Sequence, residues 1–320
     1  MRPMTLALAA TTALAGAASA QETILAHGEN PGDPRYLAAE HLAEIVASGS
    51  GGAMTVNVAP SATRGDDAEM LTSATAGIIN VTAISQGAMS RIVPEIGAVG
   101  LPFLFEDPQA AWAALDGEVG AMLDEEAQAA RLKILAFWDN GIRHVSHASK
   151  AVPTFADLGG MQIRTPPDEM TVAIVSALGA SPAPLAFSEL PTALQSGAFD
   201  GQENSLTNIH SAKLHTITPH ITLTGHKYET TPVVAGLGWW SSLDAEAQGC
   251  VQQAADEAGA YQRELSLGMA NELQATMEAE GATFAEVEDR QAFIDATASV
   301  CDGYAERMPE IVEALRAAAG

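Results

Sequence analysis

Along the first two thirds of the chain, short apolar runs alternate with segments whose apolar residues recur every three or four positions. The first pattern predicts buried strands and the second amphipathic helices. Strands are predicted at 23–27, 54–59 and 78–84, with helices at 35–48 and 66–76 between them. A Gly/Pro-rich turn, 28–34, precedes the first helix, and the second opens on Asp66, Asp67 and Glu69, carboxylates that a helix N-terminus favours. The apolar stretch 99–105 ends in Pro102-Phe103-Leu104-Phe105, and 108–130 reads as one or two helices before a strand at 133–138. This rhythm predicts a mostly parallel sheet flanked by helices.

Asp139-Asn140-Gly141 is a turn signal, after which 142–147 reads as a strand. A loop at 153–160, a strand at 161–164, a helix at 168–178, a strand at 181–185 and a helix at 188–195, stopped by Gly197, form a second series and predict a second lobe. From about 245 to the end the pattern is almost wholly helical, rich in Ala and Glu, and is expected to pack across both lobes. The predicted organisation is α/β: a signal peptide at 1–20, a first lobe at 21–140, a second at 141–230, and a return to the first lobe with C-terminal helices at 231–320. Chain crossings near 140 and 230 would make the hinge.

Composition narrows the class. Arg2, the apolar run 6–17 and Ala18-Ser19-Ala20 have the layout of an export signal, and the run is too short for a permanent membrane helix. No later segment holds about eighteen uninterrupted apolar residues, so a soluble exported chain of 300 residues, not inserted in a membrane, is expected. With 47% apolar residues it can build a large core. A formal charge of −25 argues against nucleic acid and anionic membrane partners, which need clustered Lys and Arg. Screening over roughly 8 Å lets a local arginine prevail inside a cleft all the same. Cys250 and Cys301 are the only cysteines; in an oxidising compartment they are candidates for a disulfide between two C-terminal helices.

The motifs of several enzyme classes are missing. There is no Gly-x-Gly-x-x-Gly after a strand, no phosphate loop, no Gly-x-Ser-x-Gly elbow and no His-Glu-x-x-His. His144 and His147 would face opposite sides of one strand, and His210, His215, His220 and His226 lack carboxylates at ligand spacing, so neither a metal site nor a cofactor is expected. Asp66, Asp67 and Glu69 are the nearest approach to the acid–base pair of a hydrolase or isomerase, and read rather as a helix first turn.

Arg164 closes the strand 161–164 and is followed at once by Thr165-Pro166-Pro167, which release the strand at its carboxyl end, where ligands of open α/β sheets sit. It reads either as a carboxylate clamp, each charge-assisted bond contributing about 1.5–3 kcal/mol away from water, or as a surface ion pair worth less than about 1 kcal/mol. Arg143 is a second anion contact or a hinge ion pair. Asn204 offers a donor and an acceptor to a ligand, or shapes a turn. Trp239 and Trp240, read as strand neighbours, would face opposite sides, one toward core and the other toward a cleft.

Several segments carry a family resemblance by their order: Leu101-Pro102-Phe103-Leu104-Phe105, Asn140-Gly141-Ile142-Arg143, 158–167, Ala177-Leu178-Gly179-Ala180, Glu189-Leu190-Pro191-Thr192-Ala193-Leu194-Gln195, Asp200-Gly201-Gln202-Glu203-Asn204 and Leu223-Thr224-Gly225-His226-Lys227-Tyr228. Together they resemble the extracytoplasmic solute receptors of tripartite ATP-independent periplasmic (TRAP) transporters, DctP type, over nearly all of the chain after residue 20. The resemblance implies a periplasmic-binding-protein-like fold of two α/β lobes with a hinge and a long connecting helix. It further implies a non-enzymatic periplasmic monomer that closes around a small organic acid and delivers it to membrane permease subunits. Arg164 matches the receptor arginine that clamps the ligand carboxylate, and Asn204 and Phe187 match positions lining the same pocket. Arg143, Glu69, Ser85 and Trp240 are further transfers. Pro191 and Ser205 depart from the tyrosine and proline common at those places, which bears on ligand identity. The polar run from Asn204 to Asn208 and Glu69 favour a sugar acid, a uronate or aldonate; a C4-dicarboxylate would want a second strong cation, for which Arg143 is the candidate.

Overall fold

The structure, a computed structural model, describes residues 21–320; the expected signal peptide at 1–20 lies outside the described residues. In the first half, β1 (Gln21–His27), α1 (Pro34–Gly49), β2 (Met54–Ala59), α2 (Asp67–Thr75), β3 (Val81–Ala83) and the short α3 (Gln86–Met89) alternate. A 3-10 turn at Pro94–Gly100 leads to α4 (Pro108–Leu115), α5 (Glu118–Ala129) and the long β4 (Leu132–His147). The second half holds β5 (Gln162–Thr165), α6 (Glu169–Ala177), β6 (Ser181–Pro184), α7 (Leu190–Gln195), β7 (Gly201–Ser205) and α8 (Leu206–Ser211). The chain ends with β8 (His220–Gly236), α9 (Leu237–Trp240), α10 (Ala245–Ala279), β9 (Thr283–Glu286), α11 (Arg290–Arg307) and α12 (Pro309–Ala319). No helix among the described residues is long and apolar enough to cross a membrane.

One sheet runs through the molecule in the order β2-β1-β3-β8-β4-β7-β5-β6, with β9 beside β8. Its flanks are parallel, as the βαβ pattern predicts, but β3–β8, β8–β4 and β4–β7 are antiparallel. The strands expected at 133–138 and 142–147 are one strand. β4 runs straight through Asp139-Asn140-Gly141, and the turn signal is absorbed as a shift of β4–β8 register between Asp139 and Gly141. Gly141 takes φ +90° there, and a Cβ would stand 3.2 Å from that of Ser205, so a side chain would be strained in backbone and crowded against Ser205.

From residue 132 to 139, β4 has β8 on one side and helices on the other. Its backbone groups on the open side are met by side chains. Asp124 of α5 accepts from the Ile134 N–H at 2.9 Å, and Gln252 of α10 donates to the Leu135 carbonyl at 2.8 Å. Arg263 donates to the Phe137 carbonyl at 2.7 and 3.1 Å, and Gln262 bonds both the N–H and the carbonyl of Asp139 at 2.7 and 2.9 Å. An edge strand is thereby satisfied without a neighbouring strand.

α10 packs on α1 and β4 in the first half and on α8 and β9 in the second. α11 rests on α6, and α12 on α4 and α5, so the C-terminal helices straddle both halves as expected. The expected Cys250–Cys301 disulfide is not formed: both thiols are free. Cys250 Sγ faces the Val46 carbonyl of α1 at 3.8 Å, whereas Cys301 Sγ faces the Pro102 carbonyl at 4.0 Å, so the two helices direct their thiols at different neighbours.

Asp168, the N-cap of α6, accepts from Lys227 Nζ of β8 at 2.7 Å, and Lys227 also donates to Thr171 Oγ1 at 2.7 Å, all three side chains being buried. α3 docks against this group through Gly87, where an added Cβ would lie 2.5 Å from Asp168 Cβ and 3.1 Å from its Cγ. Gly87→Ala forces α3 and α6 apart and should destabilise the fold by about 1–3 kcal/mol, the usual cost of overpacking. Thermal unfolding checks this, and a melting temperature equal to that of the unmodified protein would show that the two elements separate at no cost.

Candidate ligand-binding cleft

The carboxyl ends of β1, β3, β5 and β7 open onto one cleft of about 820 Å³, counting its mouth. Gly28, Glu29, Arg35, Asp66, Asp67, Ser85 and Arg91 line it from the first half, and Arg164, Pro166, Pro167, Phe187, Asn204 and Asn208 from the second. Asn140, Arg143 and Glu229 line it from the central strands. Sheet register explains part of this meeting. Arg164 lies level with Gln202 on the adjacent parallel strand, so it shares a face with Asn204 two residues further on.

Arg164 is 2% exposed. Its Nε and Nη2 donate to the Leu185 carbonyl at 2.9 and 2.5 Å, which leaves Nη1 and the second Nη2 proton free for a ligand, an end-on fork. Burial pulls its pKa down to about 10, Glu203 opposing and Arg143 adding to the shift, so it stays charged at neutral pH.

Arg143 does not have that freedom. Its Nε and Nη2 bond Glu203 Oε2 and Oε1 at 2.5 and 2.7 Å, and its Nη1 lies 2.6 Å from Glu229 Oε2. That last contact is an ion pair off the hydrogen-bonding line, since neither Glu229 oxygen has a hydrogen-bond partner among the described residues. Burial disfavours the charge on Arg143, yet Glu203 and Glu229 outweigh it and hold the pKa above the ordinary value. His226 Nε2 sits 3.4 Å from Glu203 Oε2 and completes the cluster. Its guanidinium is therefore spent on ion pairs within the sheet, although it borders the cleft.

Asn204, Asn208 and Asn140 form a chain. Asn208 Nδ2 donates to Asn204 Oδ1 at 2.9 Å and to Asn140 Oδ1 at 3.0 Å, and Arg35 Nη2 donates to the same Asn140 oxygen at 3.2 Å. Phe187 and Ser85 also line the cleft, Ser85 with its hydroxyl accepting from the Ala88 N–H at the start of α3. Glu69 does not line it. Its carboxylate accepts from the Asp66 N–H at 2.9 Å in a capping box with Asp66, and the neighbours Asp66 and Asp67 take the cleft positions instead. Trp240 does not line it either. The 237–240 segment is a helical turn rather than a strand, so neighbours do not alternate, and both tryptophans pack on the core formed by α1, β4 and α10.

Arg35, Glu29, Asn140 and Glu229 escaped the reading of the sequence. Arg35 carried a signal: a cation in the first turn of a helix opposes the helix dipole and needs acidic company. It has that company in Glu29, whose Oε1 lies 3.1 Å from its Nη1, and in Asp33, which caps its N–H at 2.9 Å.

Two groups, a half-buried histidine and a buried glutamate, titrate in opposite senses. His144 accepts from the Gly225 N–H at 3.1 Å, and burial, reinforced by His226 and Arg143, pulls its pKa from 6.5 to about 3. A depressed folded-state pKa stabilises above the ordinary value and is lost as pH falls toward the folded one. Glu29 is raised from 4.5 to about 8, by burial first, against Arg35 and with Asp33 and Asp67 adding. Its contribution is complete below the ordinary value and is lost as pH rises through 8. Between about pH 6.5 and 5, His144 alone should withdraw on the order of 2 kcal/mol. The difference in unfolding free energy between the unmodified protein and His144→Gln, measured by denaturant titration, should shrink by that amount; a difference independent of pH would overturn the assignment.

The family profile for bacterial extracellular solute-binding protein, family 7 (DctP) matches residues 25–307. The chain is 46% identical over 278 residues to the uncharacterized protein y4mM of Sinorhizobium fredii, covering 87% of this chain but 51% of that protein, so it spans about half of that relative's length. It is 30% identical over 286 residues to the 2,3-diketo-L-gulonate-binding periplasmic protein YiaO of Escherichia coli, covering 89% of this chain and 87% of the relative. A solved structure of a TRAP periplasmic solute binding protein from Roseobacter denitrificans with bound β-D-glucuronate matches with a TM-score of 0.89 at 28% identity, over 93% of this chain and 99% of that one. The two-lobed α/β fold of that neighbour is the architecture predicted for this chain. With the profile matched from its first strand to its penultimate helix, the chain belongs to the DctP family of bacterial extracellular solute-binding proteins.

Proposed function

We propose that this protein is the periplasmic receptor of a TRAP transporter and captures a sugar acid, a uronate or aldonate, for delivery to membrane permease subunits. The observation that carries the reading is Arg164. It is the buried cation of the cleft whose outer fork is unspent, and it stands beside the amides of Asn204, Asn208 and Asn140. The carboxylate would take the fork, and the polar walls, with Glu29, Asp66 and Asp67 opposite, would take hydroxyls. The sugar acids named for two similar proteins support this class. A family of solute-binding proteins leaves no role for the hydrolase or isomerase alternative.

A C4-dicarboxylate fits less well. It needs a second free cation, whereas Arg143 is spent on Glu203 and Glu229, and Arg35 is committed through Nη2 to Asn140 and Thr231; Arg91 is exposed on the rim. The hinge in this proposal lies where β4 and β8 shift register near Gly141 and Glu229, between lobes at 21–140 and 141–230, with 231–320 returning to the first lobe. Closing the lobes would exclude water and strengthen the ion pair on Arg164.

A thermal-shift screen of D-glucuronate, D-galacturonate, D-galactonate, 2,3-diketo-L-gulonate and succinate should show a sugar acid raising the melting temperature most, with the acid recovered unchanged. No shift with any sugar acid would overturn the ligand class. By calorimetry, Arg164→Ala should lose about a hundredfold or more in affinity, two charge-assisted bonds being removed, while remaining folded. Near-unchanged affinity would remove the clamp.

A further inference from the structure

The amides lining the cleft are held in one polarity. Asn140 Oδ1 accepts from both Asn208 Nδ2 and Arg35 Nη2, at 3.0 and 3.2 Å. Asn204 Oδ1 accepts from Asn208 Nδ2 at 2.9 Å and from the Ser205 N–H at 3.2 Å. Turning either amide over would set its NH2 against two donors in a buried place. The Arg35 guanidinium cannot become an acceptor, the Ser205 N–H is fixed by the backbone, and Asn208 has no third donor to yield. Arg35 is itself anchored by Thr231 Oγ1 at 2.8 Å and by Glu29.

We propose that Asn208, together with Arg35, is a positioning residue that turns the Nδ2 ends of Asn140 and Asn204 toward the ligand, so that the wall beside Arg164 presents donors to an anionic, acceptor-rich group. Both protons of Asn208 Nδ2 are spent on its neighbours, so its amide nitrogen serves the cleft through them. The chain of bonds runs from α1 through β4 and α8 to β7, and so links the first half of the sheet to the second across the central strands. The inference rests on the carboxylate-binding reading of the same cleft and adds the reason its polarity favours an anion.

The test uses the tightest binder of the acid panel above. Asn208→Leu keeps the branched heavy-atom skeleton and removes the donors without adding charge; it should weaken binding on the order of tenfold, by freeing the two amides to turn. The same change made in an Asn204→Leu background should cost much less, because one of the amides to be oriented is gone, and this non-additivity separates positioning from a general loss of packing. Additive effects, or unchanged affinity, would overturn the proposal. A second measurement needs no variant at residue 208. In the intact protein, the side-chain amide proton resonances of Asn140 and Asn204 should shift on ligand addition while those of Asn208 stay put; movement of Asn208 alone would assign it as the direct contact. If no acid of the panel binds, the receptor reading and this inference fail together. If an acid binds and Arg164→Ala abolishes it, but the cycle is additive, the inference alone fails.

Discussion

The burial of Arg143 between Glu203 and Glu229 is the constraint on which the rest of the molecule depends. A guanidinium withdrawn from water costs several kcal/mol unless carboxylates meet it. Here the carboxylates come from the two strands flanking β4, so the charge ties β7, β4 and β8 together where the halves of the sheet join. Two carboxylates for one arginine leave the group with surplus negative charge. That surplus favours the charged form of Arg164, which burial alone would weaken. One arginine is thus consumed in holding the strands, and its being consumed helps keep the other available.

The polar middle of the sheet has a second effect. Lys227 with Asp168, and Arg143 with its glutamates, occupy places where an ordinary α/β core would be aliphatic. Buried pairs of this kind contribute little net stability over well-packed apolar side chains, but losing one partner is costly. They therefore enforce which strands and helices meet more than how strongly they do.

Much of the frame could be read along the chain because it rests on local signals. Apolar runs marked β1, β2 and β5, and Asp66-Asp67-Ala68-Glu69 marked a helix start. Arg164 stood out as a lone cation at a strand end before two prolines. What escaped depended on partners distant in sequence. Arg143 could be a ligand contact or an ion pair until Glu203 and Glu229 were placed beside it. Glu69 matches a ligand contact by resemblance, but its spacing from Asp66 is that of a capping box, which spends the carboxylate on the backbone. Asp139-Asn140-Gly141 has the composition of a turn, but pairing with β8 on one side and Gln262 on the other held the strand straight and turned the signal into a bulge. For Trp240 and the two cysteines, spacing carried no information on which way the side chains point.

The side chains that seal the open edge of β4 belong mostly to α10, a helix made more than a hundred residues later in the chain. During synthesis or refolding, therefore, that edge stays unpaired until Gln252, Gln262 and Arg263 arrive. An unpaired edge is a template for strands of other molecules. The finished protein does not expose this stretch, whereas a chain in which α10 had not yet docked would, and it would then be open to pairing with copies of itself.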